Sequence, residues 1–395
     1  MPYGGFLVDL SAYFSRRVVV DHPHGYFALM STPRCYGNFA QGKLLCESCH
    51  VVEACRELSP EFQEEPEHPT VTEGVCGQVE AESFDLSLTL YSGQTFRWGR
   101  DMDGWWKGIA YGVAFHLKQE EEVLKYVASS EQIQTYAGSM RIETFLPWYL
   151  RILEQPRIRV PRADRYLRKA RDLMPGFRFV RQDPWECTMS YILSVQAHMA
   201  LTKRRIHFIA HILGNEIQLR GERFWTFPSV DELSLLDEGY FRHQRFGWRS
   251  KFLPTSANHV NNAIGQSPRP AEQPTGLSEW RAIIDDLRGI PNSGVGLKVA
   301  KCIDLFSLDR LGAVPVDTWV RKCAADWYGI EGSDARICSW AEERGGKLAG
   351  YWNEYLFAYY RELNAPRLDE RVLSFAASDA PSAVLPFELI AKDHE

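Results

Sequence analysis

The sequence predicts an α+β protein: a modest antiparallel sheet, then a larger all-helical region, with a small cysteine-rich module ahead of both. Three observations predict it. From Ser83 to Leu117, apolar and polar residues alternate in short runs broken by turn residues, the period of half-buried strands. After about Glu120 the apolar residues recur with helical period. Four of the nine cysteines fall in the first 58 residues, before either pattern begins.

Those four, Cys35, Cys46, Cys49 and Cys55, read C-x10-C-x2-C-x5-C. A C-x2-C turn brings two thiolates to one metal, and four make a closed structural site suited to zinc or to a [4Fe–4S] cluster. Free buried thiols are the plain alternative, and Cys76 or His50 could replace one ligand. Residues 1–58 are assigned to this module and 59–78, acidic and Pro-rich, to a linker. In the sheet domain, 79–155, SFDLSLTLYSGQTFRW reads as a strand turning at Ser92-Gly93, with further strands over 105–110 and 113–117. A helical domain spans 156–365. Asp183 can cap a helix whose first position is Pro184. The helical pattern then runs to about Leu213, with a break near Ser194. More helices are predicted at 278–288, 297–308, 318–328, 335–345 and 348–362, and 366–395 reads as a peripheral tail.

At 395 residues the chain holds two or three such units. A net charge of -6 excludes a uniformly basic nucleic-acid coat but not local phosphate contacts. Basic runs exist at Arg151–Arg171 and at Lys203, Arg204 and Arg205; each also reads as a solvated helix face. No apolar run is long enough for a bilayer, and MPYGGFLVDLSAYFSRR lacks the form of a secretory leader. A reducing compartment is expected: cytoplasm or nucleoid in a prokaryote, nucleus in a eukaryote. Cysteines there serve metals, cores or sites rather than disulfides.

The stretch IPNSGVGLKVAKCIDLFSLDRLGAVPVDTWVRK, 290–322, carries the chemistry. Gly294-Val295-Gly296 is a turn leading straight into a helix, and its backbone N–H groups suit a phosphate. Lys298 stands in the first turn, where desolvation and the positive helix end would favour a neutral, nucleophilic amine. Nineteen residues on, Asp317 takes the cap position of the next helix, where a carboxylate can hold the amine and stabilise positive charge. Taken singly, these are a phosphate-contacting lysine and an N-cap aspartate.

GVGLKVAKC…VPVD at this spacing resembles the helix-hairpin-helix, Gly/Pro-rich loop and catalytic Asp of the DNA glycosylases. Over roughly residues 80–365 the resemblance is to the 8-oxoguanine DNA glycosylase family. It implies an antiparallel, TBP-like sheet domain joined to an all-helical glycosylase domain. It also implies a bifunctional activity: Lys298 attacks the sugar C1′, expels the damaged base and forms a Schiff base that eliminates the 3′ phosphate. The partner implied is duplex DNA with a damaged base, bound by a monomer that needs no diffusible cofactor.

The resemblance places further residues. Gly93 falls where a carbonyl accepts the N7–H that 8-oxoguanine has and guanine lacks; guanine would leave two buried acceptors facing each other. Alone it reads as a turn glycine. Gln196, in SVQAH, falls where a side chain fills the hole left by the flipped nucleotide. Trp248 and Arg249, in FGWRSKFL, fall on an aromatic wedge and an Arg that meets the orphaned cytosine. Phe357 and Cys302 fall on the two faces of the flipped base; alone, both read as core. Gly294 and Gly296 are the hairpin's DNA contacts. Three departures stand out. Asn353 replaces a Gln that reads the Watson–Crick edge, Trp319 replaces a His, and IPNSGVG is longer than the usual IPGVG. They leave open a related glycosylase for another oxidised or alkylated base. A non-catalytic lesion-binding protein is the reading from another class, disfavoured because Lys298 and Asp317 are both present.

Overall fold

A computed structural model describes residues 17–21, 27–31, 73–266 and 275–364. The chain divides into two compact units, 1–70 and 71–395. In the first, β1 (Arg17–Asp21) and β2 (Phe27–Ser31) pair antiparallel. The four cysteines assigned to a metal, most of the linker and the tail from 365 lie outside the described residues. Among those described, no group of three His, Cys, Asp or Glu side chains could hold a metal. No helix among them is long and apolar enough to cross a membrane.

The second unit opens on a five-stranded antiparallel sheet, spatial order β3-β7-β6-β5-β4. Its strands are β3 (Val75–Glu80), β4 (Trp98–Arg100), β5 (Trp106–Ala110), β6 (Val113–Glu120) and β7 (Val123–Ala128). β3 begins ahead of the boundary expected at 79. Val75, Gly77 and Val79 alternate with exposed neighbours as a half-covered strand requires, and the strand pairs with β7 along its whole length. A short hairpin follows, β8 (Gln132–Thr135) with β9 (Gly138–Arg141).

The strand expected over SFDLSLTLYSGQTFRW is corrected: Leu86–Tyr91 form a helix, α1. Alternation misled here because positions 86, 88 and 90 contain an i,i+4 pair, so the same letters serve both periods. Asp85 decides between them. Its carboxylate accepts from the Leu88 N–H at 2.7 Å, capping a helix that buries Leu86, Thr89 and Leu90.

Both faces of the sheet are covered. On one lies α2 (Ile142–Tyr149), whose Phe145 stacks on Phe115 at 5.7 Å. On the other, Ile109, Ala114 and Val127 meet Leu219 and Phe224. These last two belong to a hairpin of β10 (Glu216–Leu219) and β11 (Glu222–Trp225), a β element inside the region expected to be all helix.

The helices are α3 (Arg165–Asp172), α4 (Pro184–Leu193), α5 (Met199–Leu213), α6 (Val230–Ser234), α7 (Glu238–His243), α8 (Phe252–Gly265), α9 (Leu277–Leu287), α10 (Leu297–Ser307), α11 (Thr318–Tyr328), α12 (Asp334–Gly345) and α13 (Ala349–Asn364). Helix α4 is the axle. Every residue of it except Glu186 is buried, as expected of a helix apolar all round. Asp183 caps it and Pro184 takes its first position. The predicted break comes at residues 194–198, where Gln196 turns left-handed at φ 49°.

Sheet and helices are fastened through one extended segment, residues 177–182. Gln94, beside the Gly93 turn, is 1% exposed, and its amide is fully used. Nε2 donates to the carbonyls of Thr89 and Arg178 (2.8 and 2.9 Å), and Oε1 accepts from the Val180 N–H (2.7 Å). Its own carbonyl accepts from Gln182 Nε2 and from the Tyr191 hydroxyl of α4 (2.6 and 2.9 Å). The Tyr351 hydroxyl of α13 accepts from the Phe179 N–H at 3.1 Å.

An ion network of two buried or nearly buried arginines and two more exposed carboxylates runs alongside. Arg151 pairs with Glu154 and Asp309, and Arg181 with the same two carboxylates. Arg151, 2% exposed, therefore leaves the surface basic run in which the sequence placed it. Gln94→Ala strands the Val180 N–H and the Arg178 carbonyl at about 1–3 kcal/mol each for those that find no water, and leaves the Thr89 carbonyl with the Ser92 hydroxyl alone. The expected loss is roughly 3 kcal/mol, a fall in Tm of about 5–10 °C for a domain of this size. A thermal melt of the purified variant checks it, and a change under about 2 °C would remove Gln94 from this role.

Candidate active site

Helix α10 starts without a side-chain cap. Its first-turn N–H groups therefore have neither an intrahelical nor a side-chain partner and face outward with the positive end of the helix. The turn before it is held rigidly. The carbonyl of buried Ser293 accepts from Ser256 Oγ at 2.8 Å, and Ser293 Oγ accepts from the Val295 N–H at 3.2 Å. The additional length of IPNSGVG is taken up in this pinned turn, with Asn292 left-handed at φ 63°. Gly294, at φ 78°, admits no side chain: a Cβ would lie 2.8 Å from Phe252 and 3.1 Å from Ile192. Gly296 faces open space, so a bulky anion can reach the backbone there.

Lys298, in the first turn, is exposed. The desolvation expected to favour its neutral form is thus not supplied by the protein alone. Asp317 caps α11, with Oδ1 accepting from the Val320 N–H at 2.8 Å. Cys302, one turn after Lys298, is 4% exposed. Burial pushes its thiol up to about 12, against the pull of Lys298 and with the negative charges of Asp317, Glu354 and Asp304 adding to the rise. Cys302 is therefore a neutral S–H surface, not a nucleophile.

On α13, Asn353 is buried and Phe357 half-buried. Both line a void of about 10 Å³ shared with Val320, Cys323, Tyr328, Trp340 and Trp352. That is room for one water at most. The void borders none of Lys298, Asp317 and Cys302. Trp319 packs edge-on against Tyr360, ring centroids 6.3 Å apart, and the Lys322 ammonium lies over its ring at 5.4 Å.

Gly93, at φ 92°, stands at the turn that Gln94 anchors, and the nearest atom to a Cβ there is Met199 Cε at 3.0 Å. The turn of the sheet domain thus abuts the first residue of α5, just beyond Gln196. Gln196 is exposed, and Arg249 holds its backbone. The Arg249 guanidinium, 5% exposed, donates to the carbonyls of Val195 and Gln196. Trp248, 44% exposed, lies against the same guanidinium at 4.4 Å. Burial, with Arg205 nearby, brings Arg249 down to about 10, so it stays charged at neutral pH. Any contact between Arg249 and a base would share or exchange these carbonyl bonds.

The structure thus gathers Lys298, Asp317 and Cys302 near one another, and Gln196, Trp248 and Arg249 into one loop cluster. Sequence reasoning missed four residues. Gln94 and Met199 gave no periodic signal. Arg205 reads as one more surface charge. Glu354 did leave a trace: an acid inside the aromatic run YWNEYLFAYY.

Arg249→Lys keeps the charge but loses the planar fork that spans two carbonyls. The amides of residues 196–198 should exchange roughly tenfold faster in hydrogen-exchange mass spectrometry, as expected when a local restraint is removed. Unchanged exchange would show that Arg249 does not hold this turn.

The family model for the N-terminal domain of 8-oxoguanine DNA glycosylase matches residues 78–188. The N-glycosylase/DNA lyase OGG1 of Arabidopsis thaliana is 29% identical over 253 residues, covering 61% of this chain and 66% of that protein. A probable N-glycosylase/DNA lyase of Methanothermobacter thermautotrophicus is 27% identical over 311 residues, 72% of this chain and 96% of that one. Among solved structures, the Clostridium acetobutylicum 8-oxoguanine glycosylase/lyase, in complex with double-stranded DNA containing cytosine opposite 8-oxoguanine, is similar with TM-score 0.58 and 25% identity, covering 74% of this chain and 99% of that one. The family model covers the sheet domain and the start of the helical one, and across both domains the chain is similar to 8-oxoguanine DNA glycosylases in sequence and in fold.

Proposed function

We propose that this chain is a bifunctional DNA glycosylase and AP lyase that removes 8-oxoguanine from duplex DNA in base-excision repair. One observation carries the proposal: Lys298 stands one residue past an uncapped, Gly-opened helix start, and Asp317 caps the helix that follows. A phosphate seated on the α10 N-terminus brings a sugar toward Lys298. The bound duplex also supplies the desolvation that the exposed amine lacks.

The neutral amine attacks C1′, and the bond from C1′ to the base nitrogen breaks. The base leaves with the electron pair. Asp317, pinned by the Val320 N–H through one oxygen, keeps the other lone pairs for the positive charge that grows on the sugar. The covalent adduct opens to a Schiff base. Loss of a C2′ proton then expels the 3′ phosphate and nicks the strand.

Gly93 offers its carbonyl to the N7–H of the oxidised base, and Cys302 and Phe357 offer apolar faces to its ring. Gln196, Trp248 and Arg249 meet the gap and the orphaned cytosine. Gly294 and Gly296 shape the phosphate seat. The four N-terminal cysteines, Cys35, Cys46, Cys49 and Cys55, would hold a structural zinc or [4Fe–4S] centre that takes no part in these steps. The enzyme works as a monomer wherever the cell keeps its DNA: the nucleoid in a prokaryote, the nucleus in a eukaryote.

A second reading, a related glycosylase for another oxidised or alkylated base, is favoured by Asn353, one methylene shorter than the Gln of the family. Base-release assays on a lesion panel separate the two.

Borohydride should trap wild type on a duplex with 8-oxoguanine opposite cytosine and fail to trap Lys298→Gln. No adduct from folded wild type would overturn the lyase reading. Asp317→Asn should fold and bind the duplex but release base roughly 100- to 1,000-fold more slowly, the usual cost of removing one preorganised electrostatic group. Single-turnover kinetics measure it.

A further inference from the structure

Met199 and Gly93 come from different domains and touch. Met199 is the first residue of α5, and Gly93 belongs to the turn that follows α1. A Cβ built on Gly93 would meet one atom within 4 Å beyond its chain neighbours, the Met199 methyl Cε at 3.0 Å. At φ 92° Gly93 holds a conformation that L side chains rarely adopt, so the turn itself supplies nothing to cover this face. The methyl of Met199 covers it instead.

The carbonyl of Gly93 is free. Among the described residues no hydrogen bond reaches it, whereas the groups beside it are committed. Ser92 Oγ donates to the Thr89 carbonyl at 3.1 Å, and the Gln94 carbonyl accepts from Gln182 and Tyr191. A carbonyl oxygen lies about 2.4 Å from its own Cα, so a methyl packed at the Gly93 Cα is a neighbour of that oxygen.

Met199 is also open to a ligand, being 41% exposed. Its backbone stands on a fixed base. Arg249 holds the Val195 and Gln196 carbonyls just ahead of it, and His198 caps α5 by accepting from the Leu201 N–H at 3.4 Å. The side chain itself is apolar and polarizable, donates no hydrogen bond and accepts only weakly.

We propose that Met199 is a specificity-determining residue, the apolar cover that keeps water from the Gly93 carbonyl and so sets how strongly this chain prefers 8-oxoguanine to guanine. This role rests on the 8-oxoguanine reading, in which that carbonyl accepts the N7–H. Guanine presents a lone pair at N7. Where water can enter, it bridges the two acceptors and guanine is tolerated. Where a methyl takes the place of that water, both acceptors stay unpaired and guanine is rejected. The thioether cannot donate to the carbonyl, so it leaves the acceptor for the lesion.

The test compares two substitutions of similar size in the full chain, Met199→Leu, which stays apolar, and Met199→Gln, whose amide can donate to the carbonyl or hold a water there. Both are made in Lys298→Gln protein so that binding reaches equilibrium without turnover. The measured quantity is Kd for a guanine–cytosine duplex divided by Kd for the same duplex with 8-oxoguanine opposite cytosine. Met199→Leu should keep this ratio within about twofold of the parent, and Met199→Gln should lower it roughly tenfold, the scale set by one unpaired buried acceptor. Affinity for the undamaged duplex should fall in neither, which separates this role from a lost fold or a lost phosphate contact. A ratio that Met199→Gln leaves unchanged, or that both variants lower alike, overturns the proposal. A parent that binds the two duplexes equally overturns the Gly93 reading itself. Should Met199→Gln not fold, peroxide footprinting of the parent decides, with Met102, 100% exposed, as the rate reference. The 8-oxoguanine duplex should slow sulfoxide formation at Met199 roughly tenfold more than the undamaged duplex does, and equal protection by the two rejects the contact.

Discussion

The Gln94 amide is the constraint on which the rest depends. A glutamine side chain with two donors and an acceptor, all satisfied within a 1%-exposed site, fixes the Gly93 turn against residues 178–182. Those residues lead directly into α4, the buried axle of the helical part. The Tyr191 hydroxyl closes the circuit by donating to the Gln94 carbonyl. A neutral network can do this where an ion pair would do it poorly, because each bond is matched and no charge is stranded in the core. The consequence is positional. The Gly93 carbonyl of the sheet domain and Lys298 of the helical domain, the nucleophile proposed above, are held in one frame although they are far apart in sequence.

What could be read from the sequence was whatever depends on neighbours along the chain. α11 matches its predicted span, and α9, α10 and α12 differ by a residue or so at their ends, because helical period and caps are local. Asp317 at its cap position and Lys298 in a first turn were legible for the same reason. The 86–91 segment was not, because alternating leucines satisfy two periods and only the Asp85 cap and the close approach of Gly176 to Phe84 and Asp85 settle it. The β10–β11 hairpin was missed because its apolar content is small and its partner is the far face of the sheet. Arg151 was misplaced because a charged residue declares nothing about burial until its partners, Glu154 and Asp309, are known. Resemblance supplied Gly93, Cys302 and Phe357, whose chemistry alone points to turn and core.

The site combines two electrostatic regimes. Its mouth is cationic: the uncapped α10 N-terminus, exposed Lys298, and the Arg249 and Arg205 pair beside the Gln196 turn. In a chain of net charge -6, such a local patch can still attract a polyanion. Its floor is the reverse, a set of buried groups in which Cys302 stays a thiol and Asp317 is the carboxylate at the edge. In the proposed reaction, phosphate contacts hold the nucleic acid at the mouth, and charge developing on the sugar is met further in, where water is scarcer and a fixed carboxylate acts more strongly.

Chemistry and recognition therefore draw on different lengths of chain. The proposed reacting pair, Lys298 and Asp317, comes from one continuous stretch, 290–317, stiffened by Ser293 and by the close packing of Gly294 on Phe252 and Ile192. Recognition is assembled from the Gly93 turn, the 195–199 loop, the 248–249 pair and α13, which meet only through long-range packing. Substitution in any one of these alters the fit without disturbing the nucleophile. Asn353 illustrates it. The Tyr351 hydroxyl ties α13 to Phe179, so the helix cannot simply slide to make up the missing methylene.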